Sequence, residues 1–308
     1  MQKLTHVLST KQFGDRELLE HLFAQAQAME RDDKFRAIPQ RMRGRILATV
    51  FYEPSTRTRF SFEASMQKLG GGVITAENAR ESSSAAKGES IEDAIKVIAG
   101  YADVIALRHF QVGAAEAAAR VSPVPIINAG DGAGEHPTQA LIDSYTIRKE
   151  LGRIEGLRVA LVGDLRYGRT IHSLLPLLCL YPGVTIDLVS PSQLRMPERY
   201  IDYLKEKGAA FTETEVLNEA IEHADVVYVT RVQQERFASV EEYMAIKDVY
   251  LIDSRIANQL KSDSIIMHAL PRVNEIAIDV DDDKRAAYFR QAKNGLYVRM
   301  ALLDHLLS

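Results

Sequence analysis

Three hydroxyl side chains and two arginines follow one another in the stretch FYEPSTRTRFSFE, residues 51–63. The stretch opens as the end of an apolar strand, turns at its proline and continues as a helix with Ser55 as a suitable N-cap. The first turn of a helix usually carries Asp or Glu, because that end of the helix dipole is positive. This turn carries Thr56, Arg57 and Thr58 instead. Backbone N–H groups, hydroxyls and a guanidinium at one helix start predict an anion site, best suited to phosphate. The alternative is an ordinary capped helix whose arginines point into solvent.

Composition places the chain among soluble globular proteins of two domains. It has 308 residues, 46% of them hydrophobic and 26% charged, and a chain of this length usually exceeds one compact core. The formal net charge of −4 argues against nucleic acid or an anionic membrane as a bulk partner. An anion site in this chain must therefore be built locally.

The single cysteine, Cys179, excludes an internal disulfide and a multi-cysteine metal site. It lies in an apolar run, so we interpret it as a small core residue rather than a nucleophile. The N-terminal sequence MQKLTHVLST has no apolar stretch of signal-peptide length, and no run approaches the ~20 apolar residues of a membrane span. We therefore expect a cytoplasmic protein.

The first half of the chain alternates strand and helix patterns four times, which predicts a parallel sheet with helices on its faces. The predicted strands are residues 45–51, 73–75, 103–107 and 125–128. The predicted helices are residues 15–30, 55–69, 91–101 and 114–120. A polar loop of small residues, ESSSAAKG at 81–88, lies between two of these elements and is of a kind that is mobile without ligand.

A helix at 137–151 follows, and the alternating pattern then restarts. The second set of strands is predicted at 157–162, 184–189, 225–229, 249–253 and 264–267, with helices at 169–180, 197–207, 215–223 and 241–246. The last segment, 283–307, is helical and must dock on one of the two units. The fold class is therefore α/β, with two doubly wound parallel-sheet domains that have helices on both faces and are closed by a C-terminal helix. We place the first domain at 1–135, completed by 293–308, and the second at 136–292.

Polar residues collect where the predicted strands end, and ligands of open parallel sheets bind beyond those ends. In the first unit these are Arg108, His136 and Gln139, besides the stretch 51–63. In the second they lie in DLRYGRT (164–170), at Arg231 with Gln233, and in HALPR (268–272). So many basic groups in an acidic chain predict anionic substrates, and Arg169 and Arg231 can each hold a carboxylate. Each of three residues also has a purely structural interpretation, which remains open. Arg108 could end its strand in solvent, His136 could only cap its helix, and Asp164 could only shape a turn.

Several common site motifs are missing from the sequence. Residues 163–168 do not match the dinucleotide fingerprint, and no Walker-type phosphate loop occurs. No clustered histidine and cysteine pattern suggests a metal, and no Gly-x-Ser-x-Gly elbow suggests an acyl-enzyme. We therefore expect no cofactor and no metal.

Six segments together resemble the aspartate/ornithine carbamoyltransferase family, in its order and spacing over nearly the whole chain. They are FYEPSTRTRFSFEAS, LRH (107–109), NAGDGAGEHPTQALID (128–143), GDLRYGRTIHSL (163–174), TRVQQERF (230–237) and HALPRVNEI (268–276). GDLRYGRT and TRVQ mark the aspartate branch, and the Cys-Leu-Pro expected of the ornithine branch is absent. The resemblance implies transfer of the carbamoyl group of carbamoyl phosphate to L-aspartate, the committed step of de novo pyrimidine biosynthesis.

The resemblance also implies roles for individual residues. Carbamoyl phosphate would be bound by Ser55, Thr56, Arg57, Thr58, Ser83, Lys87, Arg108, His136, Gln139 and the backbone at Ala269 and Leu270. Aspartate would be bound by Lys87, Arg169, Thr170, Arg231, Gln233 and Leu270. The catalytic residues would be Arg57, Thr58, Lys87, Arg108 and His136, with Thr58, Arg108 and His136 polarising the carbonyl oxygen.

The family further implies a homotrimer whose active sites are shared between subunits. A serine and a lysine of the loop 81–88 would reach the neighbouring site; they correspond to Ser83 and Lys87, with Ser84 as the poorer register for the serine. The resemblance leaves open a separate regulatory chain, cooperativity, nucleotide feedback and assembly beyond the trimer.

Two positions depart from the family pattern. Ala269 stands where the family usually has proline before Leu-Pro, and Phe110 stands where it usually has proline after Arg-His. We interpret His268 as a structural partner rather than a catalytic group. The alternatives to the aspartate reaction are another amine acceptor such as ornithine, or a catalytically silent homologue that regulates or scaffolds.

Overall fold

The computed structural model describes residues 4–232, 239–246 and 249–308. The chain divides into two units, one formed by Met1–Ile142 with Lys293–Ser308 and the other by Asp143–Ala292. The boundary predicted at residues 135 and 136 precedes the helix Pro137–Leu151, whereas the structural division falls inside that helix. Residues 293–308 belong with the first unit.

The first unit contains four strands and the helices that connect them. In chain order the elements are α1 (Arg16–Lys34), β1 (Ile46–Phe51), α2 (Thr56–Lys68), β2 (Gly72–Glu77), α3 (Ala79–Ser82), α4 (Ile91–Ile98), β3 (Val104–His109), α5 (Ala114–Val121), β4 (Ile126–Asp131) and α6 (Pro137–Leu151), which continues into the second unit. Short 3-10 helices lie at Thr10–Phe13 and Ser84–Lys87.

The four strands form a parallel sheet in the order β2-β1-β3-β4. β1, with the sequence ILATVF, is buried over nearly its whole length, as expected for a central strand covered on both faces. Phe51 lies in register with Arg108, and His109 with Asp131. The carboxyl ends of these strands therefore meet at one edge of the sheet, and the segments that follow β1 and β4 begin there.

The second unit has a sheet of five parallel strands in the order β7-β6-β5-β8-β9. Its elements are β5 (Arg158–Val162), α7 (Arg169–Leu178), β6 (Thr185–Val189), α8 (Glu198–Glu206), β7 (Ala210–Thr214), α9 (Leu217–Ile221), β8 (Val226–Val229), α10 (Val240–Ile246), α11 (Ser254–Ala257) and β9 (Ile265–Met267). The final helix, α12 (Tyr288–Leu307), passes from this unit back to the first.

The predicted fold class is confirmed, since both units are parallel-sheet α/β structures and a helix closes the chain. Apolar strand residues form each core; in the second unit Val162, Val229 and Ile266 pack together from three adjacent strands. Within the part of the chain that the structure describes, no helix has both the length and the hydropathy to cross a membrane.

The strand predicted at 249–253 is wrong. Only Ile252 makes a bridge there, pairing with Ile276. Its N–H donates to Glu275 O and its carbonyl accepts from Ala277 N, so the segment pairs with a loop rather than with the sheet. The side chains of Val249 and Leu251 are exposed, although their apolar character is typical of a strand.

Three further elements differ from prediction. β7 was not predicted, because this edge strand is largely exposed and lacks an apolar alternation. The C-terminal helix begins at Tyr288 rather than at residue 283. The loop at 81–88 is not irregular throughout, since α3 ends within it and the 3-10 helix Ser84–Lys87 follows.

Candidate active site

The start of α2 has backbone N–H groups that no side chain of the helix caps. Ser55 holds the N-cap position with extended backbone angles, φ −158° and ψ 95°, but its hydroxyl makes no capping hydrogen bond. The first turn carries no acidic residue. Since a helix start without a cap leaves N–H groups for an external acceptor, this end of α2 can receive an anion. Ser55 thus occupies the predicted position without performing the predicted capping contact.

Arg57 and Arg59 have different surroundings although they are two residues apart. Arg59 Nη2 lies 2.7 Å from Glu77 Oε2, and its Nη1 lies 3.5 Å from Glu63 Oε1, one helical turn further along α2. Burial lowers the pKa of the Arg57 guanidinium, and no carboxylate of the described residues lies within ion-pair distance of it. Arg57 is therefore the guanidinium that a substrate anion can engage.

Arg108 lies within β3 rather than after it, because the strand continues to His109. Its side chain is only 14% exposed, so it does not end the strand in solvent, and its Nη2 lies 3.7 Å from Glu53 Oε2. Arg108 O accepts a hydrogen bond from Tyr52 N at 2.8 Å. The residue is thus fixed to the segment that leads from β1 into α2, beside the candidate anion site.

His136 precedes α6 and is 4% exposed. Its carbonyl accepts hydrogen bonds from Gln139 N at 3.0 Å and Ala140 N at 3.2 Å, so its backbone starts the helix. Its ring is buried, and Nδ1 lies 3.5 Å from Thr138 Oγ1. The capping role that the sequence left open therefore belongs to the main chain of His136. Gln139 is half-buried on the first turn.

Ser83 and Lys87 lie on the segment between α3 and α4. The Ser83 hydroxyl donates to Ala79 O and accepts from Ala85 N at 3.2 Å, so it shapes its own loop. Lys87 ends the 3-10 helix and is exposed. The description of Ser84 does not extend to its side chain, so the choice between Ser83 and Ser84 stays a prediction.

Phe110, which replaces the family's usual proline, takes part in an aromatic stack. Its ring stacks on His109 with centroids 4.3 Å apart, and Tyr52 meets His109 edge-on at 4.5 Å. The guanidinium carbon of Arg80, on α3, lies 4.8 Å from the Phe110 ring centroid. The departure therefore gives the end of β3 a contact with the loop segment that a proline could not make.

In the second unit, β5 and β8 are neighbours, with Val162 in register with Val229. The residues that follow them therefore emerge at one edge of the sheet. Arg169 is the first residue of α7, and Arg231 follows β8; both are half-buried, as is Thr170. Two guanidinium groups at one sheet edge suit a dicarboxylate. Gln233 lies outside the described residues.

Asp164 and Gly163 shape the loop that leads to Arg169. Asp164 is fully buried, and its Oδ1 accepts a hydrogen bond from Tyr167 N at 2.9 Å, which favours the turn-forming role left open by the sequence. Gly163 has a φ of +112°, and a Cβ there would lie 2.6 Å from Thr230 O. Only glycine lets the β5 end approach the β8 end this closely.

The HALPR turn is held by a buried hydrogen-bond network. His268 Nδ1 accepts from Leu270 N at 2.7 Å, so the neutral ring carries its proton on Nε2, which lies 2.8 Å from Glu275 Oε1. Glu275 Oε2 accepts from Val273 N and Asn274 N at 3.1 and 3.0 Å. Burial opposes ionisation of Glu275, but these hydrogen bonds leave its pKa below the ordinary value. The network agrees with a structural role for His268.

This network fixes the backbone of Ala269 and Leu270, which are both half-buried. Leu270 has a φ of +55°, unusual for a branched residue, and the Leu270–Pro271 peptide is cis with Ala269 in place of the family's proline. Arg272 forms a two-pronged ion pair with Asp281, which raises the pKa of Arg272, so this arginine is committed within the fold.

Glu275 was not singled out from the sequence, since nothing local marks its contact with His268.

His172, in the GDLRYGRTIHSL segment, gives a pH-dependent stability. Burial lowers its pKa from 6.5 to about 4, against the opposing effect of its hydrogen bond to Leu165 O. Between these pH values the unfolded chain binds a proton that the folded chain does not, so the free energy of unfolding falls as the pH drops from 6.5 towards 4.

We expect His172→Gln, whose amide can still donate to Leu165 O, to remove this contribution. The difference in unfolding free energy between pH 7 and pH 4 should shrink by roughly 2–3 kcal/mol. Thermal unfolding of both chains across this pH range measures it. Parallel curves for the two proteins would contradict the assignment.

Taken together, the fold and these residues define a class of protein: a two-unit α/β chain with a candidate phosphate site at a helix start in one unit and a pair of arginines at a sheet edge in the other. Two family models match the chain. Residues 5–149 match the carbamoyl-phosphate binding domain and residues 155–306 the aspartate/ornithine binding domain of aspartate/ornithine carbamoyltransferases. The chain belongs to this family.

Individual relatives agree with this membership. The chloroplastic aspartate carbamoyltransferase of Arabidopsis thaliana is 51% identical over 99% of this chain and 78% of its own length. The catalytic subunit of M. jannaschii aspartate transcarbamoylase has 49% sequence identity and a TM-score of 0.93, covering 99% of this chain and 98% of that one. Trypanosoma cruzi aspartate transcarbamoylase, solved with carbamoyl phosphate and aspartate, has 40% identity and a TM-score of 0.93, covering 99% and 98%.

Proposed function

We propose that this chain transfers the carbamoyl group of carbamoyl phosphate to L-aspartate, giving N-carbamoyl-L-aspartate and phosphate. The observation that carries the proposal is the start of α2, where the N-cap hydroxyl makes no capping bond, the first turn has no acidic residue and Arg57 adds a guanidinium. Family membership and the relatives named above support the same reaction.

The first unit binds carbamoyl phosphate in this proposal. The N–H groups and hydroxyls of Ser55, Thr56 and Thr58 donate to the phosphate oxygens at the positive end of the α2 dipole, and Arg57 adds a charge-assisted pair. Arg108 reaches the carbonyl oxygen from the neighbouring strand β3. His136 and Gln139 meet the carbamoyl group from the start of α6. The backbone of Ala269 and Leu270, which belong to the second unit, is the proposed acceptor for its amino group.

The second unit binds aspartate. Arg169 and Arg231 each hold one carboxylate, and Thr170 adds a hydroxyl beside Arg169. Gln233 and Lys87 complete the predicted set. Two guanidinium groups favour a dicarboxylate such as aspartate over ornithine, because the side chain of ornithine ends in an ammonium group instead of a carboxylate.

The reaction needs two anions to meet. The aspartate amine attacks the carbamoyl carbon, a tetrahedral oxyanion forms, and the C–O bond to phosphate breaks as phosphate leaves with the amine proton. Holding both substrates in place contributes roughly 7–11 kcal/mol to lowering the barrier. Each donor aimed at the oxyanion, from Thr58, Arg108 or His136, contributes roughly 3–4 kcal/mol.

An assay of carbamoyl aspartate formation tests the function, with ornithine as the control acceptor. We expect product with aspartate and none with ornithine. Product with ornithine alone would assign the chain to the other branch of the family, and no product with either acceptor would make it a silent homologue.

We further propose a homotrimer with shared sites. β2 lies at the edge of its sheet, where Ile74 is exposed, and Phe60 on α2 is exposed as well. An exposed sheet edge with apolar side chains nearby can pair with or pack against another chain. Lys87 is exposed on its own unit and can reach a neighbouring chain.

Mixing two inactive chains tests the sharing of sites. Arg57→Ala and Lys87→Ala chains, dissociated and reassembled in equal amounts, should regain about a quarter of wild-type activity, because about a quarter of sites then combine an intact Arg57 with an intact Lys87 of the neighbour. Each variant reassembled alone is the control. Mixed oligomers as inactive as the controls would contradict a shared site.

The cytoplasmic location stays a prediction from the sequence, and the sequence leaves a separate regulatory chain open.

A further inference from the structure

A nearly fully buried arginine, Arg299 on α12, lies behind two of the segments that bind carbamoyl phosphate in the proposed function. It is 3% exposed. Its Nη1 donates to Ser61 Oγ on α2 at 2.5 Å, and its Nη2 donates to Thr138 Oγ1 on α6 at 3.4 Å. Its guanidinium carbon lies 4.7 Å from the Phe62 ring centroid. One side chain of the last helix therefore joins the helix of the phosphate site to the helix that begins beside His136.

The sequence of α12 makes room for this side chain. Gly295 lies inside the helix, where glycine costs about 1 kcal/mol relative to alanine. A Cβ at this position would lie 2.8 Å from Arg299 Nη1 and 3.1 Å from Ile142 Cδ1. α12 thus has glycine, a residue of low helix propensity, at the position where a larger side chain would displace the Arg299 guanidinium.

The contact with Thr138 continues to His136. Because Thr138 Oγ1 accepts from Arg299, its own proton is free to point at His136 Nδ1, 3.5 Å away. A neutral imidazole that accepts at Nδ1 carries its proton on Nε2. Both contacts are at the long end of the hydrogen-bond range, as catalytic contacts often are before substrate binds.

We propose that Arg299 is a positioning residue for the carbamoyl transfer: through Thr138 it holds the His136 ring in the Nε2-protonated form, so that Nε2–H faces the carbonyl oxygen. The inference rests on the proposed role of His136. Burying a guanidinium carries a desolvation penalty, and apolar residues of similar volume would fill the same space without it. The fold alone therefore does not require an arginine at position 299. Thr138 is fully buried, and among the described residues His136 Nδ1 is the acceptor within reach of its hydroxyl proton. The Nδ1-protonated tautomer would leave that proton without a partner, so the contact favours the Nε2-protonated form.

The test removes the linking hydroxyl with little change in shape. We expect Thr138→Val to lower kcat about 10- to 100-fold, the usual effect of removing a group that orients a functional side chain, with the KM for aspartate within about threefold. Thr138→Ser, which keeps the hydroxyl, should stay within about threefold of wild type. Gly295→Ala should lower kcat as well, since its Cβ would displace the Arg299 guanidinium.

The direct measurement is the tautomer of His136. In the full-length chain labelled with 15N-histidine, a His136→Gln spectrum identifies the ring signals, which should show the Nε2-protonated form in the wild type and in Thr138→Ser. Thr138→Val should lose that preference. An unchanged tautomer in Thr138→Val would overturn the inference and leave the proposed function standing if His136→Gln is inactive. A changed tautomer with an unchanged kcat would also overturn it, and a fully active His136→Gln would further remove His136 from the proposed mechanism.

Discussion

Replacing Arg57 with alanine is expected to lower kcat about 10²- to 10³-fold, the effect of removing one preorganised charged donor from a transition state. The phosphate gains charge as the C–O bond breaks, so the pair with Arg57 is stronger in the transition state than in the ground state. The KM for aspartate should change little, because Arg57 lies in the unit that binds the other substrate. Steady-state kinetics with each substrate varied in turn separate the two effects.

Arg59→Ala is the matched control for this experiment. Arg59 lies two residues further along the same helix but pairs with Glu63 and Glu77, so its loss should cost about 0.5–1 kcal/mol of stability and leave kcat within about threefold. A kcat within a few-fold of wild type for Arg57→Ala, or an equal loss in both variants, would refute the assignment of the phosphate site.

The second large effect is expected for Arg231→Ala. Loss of a two-pronged pair with a substrate carboxylate costs about 2–4 kcal/mol, so kcat/KM for aspartate should fall about 30- to 10³-fold. The KM for carbamoyl phosphate should stay within about threefold. Initial rates over a wide range of aspartate concentrations give this parameter even when the enzyme cannot be saturated.

Arg255→Ala is the control in the second unit. This arginine has a side chain that is 81% exposed and only a 3.9 Å contact with Asp253, so its loss should not alter kcat/KM for aspartate. An Arg231→Ala chain that uses aspartate as well as the control does would contradict the assignment of the carboxylate site.

Local signals in the sequence were enough for the architecture and for the start of α2. The absence of acidic residues in its first turn is visible without a structure, and so is the i, i+4 spacing of Arg59 and Glu63. The repeated strand and helix patterns gave both parallel sheets, because buried parallel strands are continuous apolar runs. The Pro137 start of α6 was equally local.

Contacts between residues far apart in the chain were not predictable in this way. Glu77 as the closer partner of Arg59 depends on the pairing of β1 with β2, and the contacts of Arg299 with Ser61 and Thr138 depend on the return of α12 to the first unit. The prediction of a strand at 249–253 was wrong for a related reason. An apolar pattern does not show whether a segment pairs with the sheet or, as Ile252 does, with a loop residue.

The central claim is a division of labour: the start of α2 binds carbamoyl phosphate, and the arginines of the second unit bind aspartate. Calorimetric titration of freshly dissolved carbamoyl phosphate into the wild-type, Arg57→Ala and Arg231→Ala chains tests it most directly. We predict that Arg57→Ala weakens binding about 100-fold, equivalent to about 2.7 kcal/mol, and that Arg231→Ala stays within about threefold of wild type. Unweakened binding by Arg57→Ala, or an equal loss in Arg231→Ala, would contradict the account.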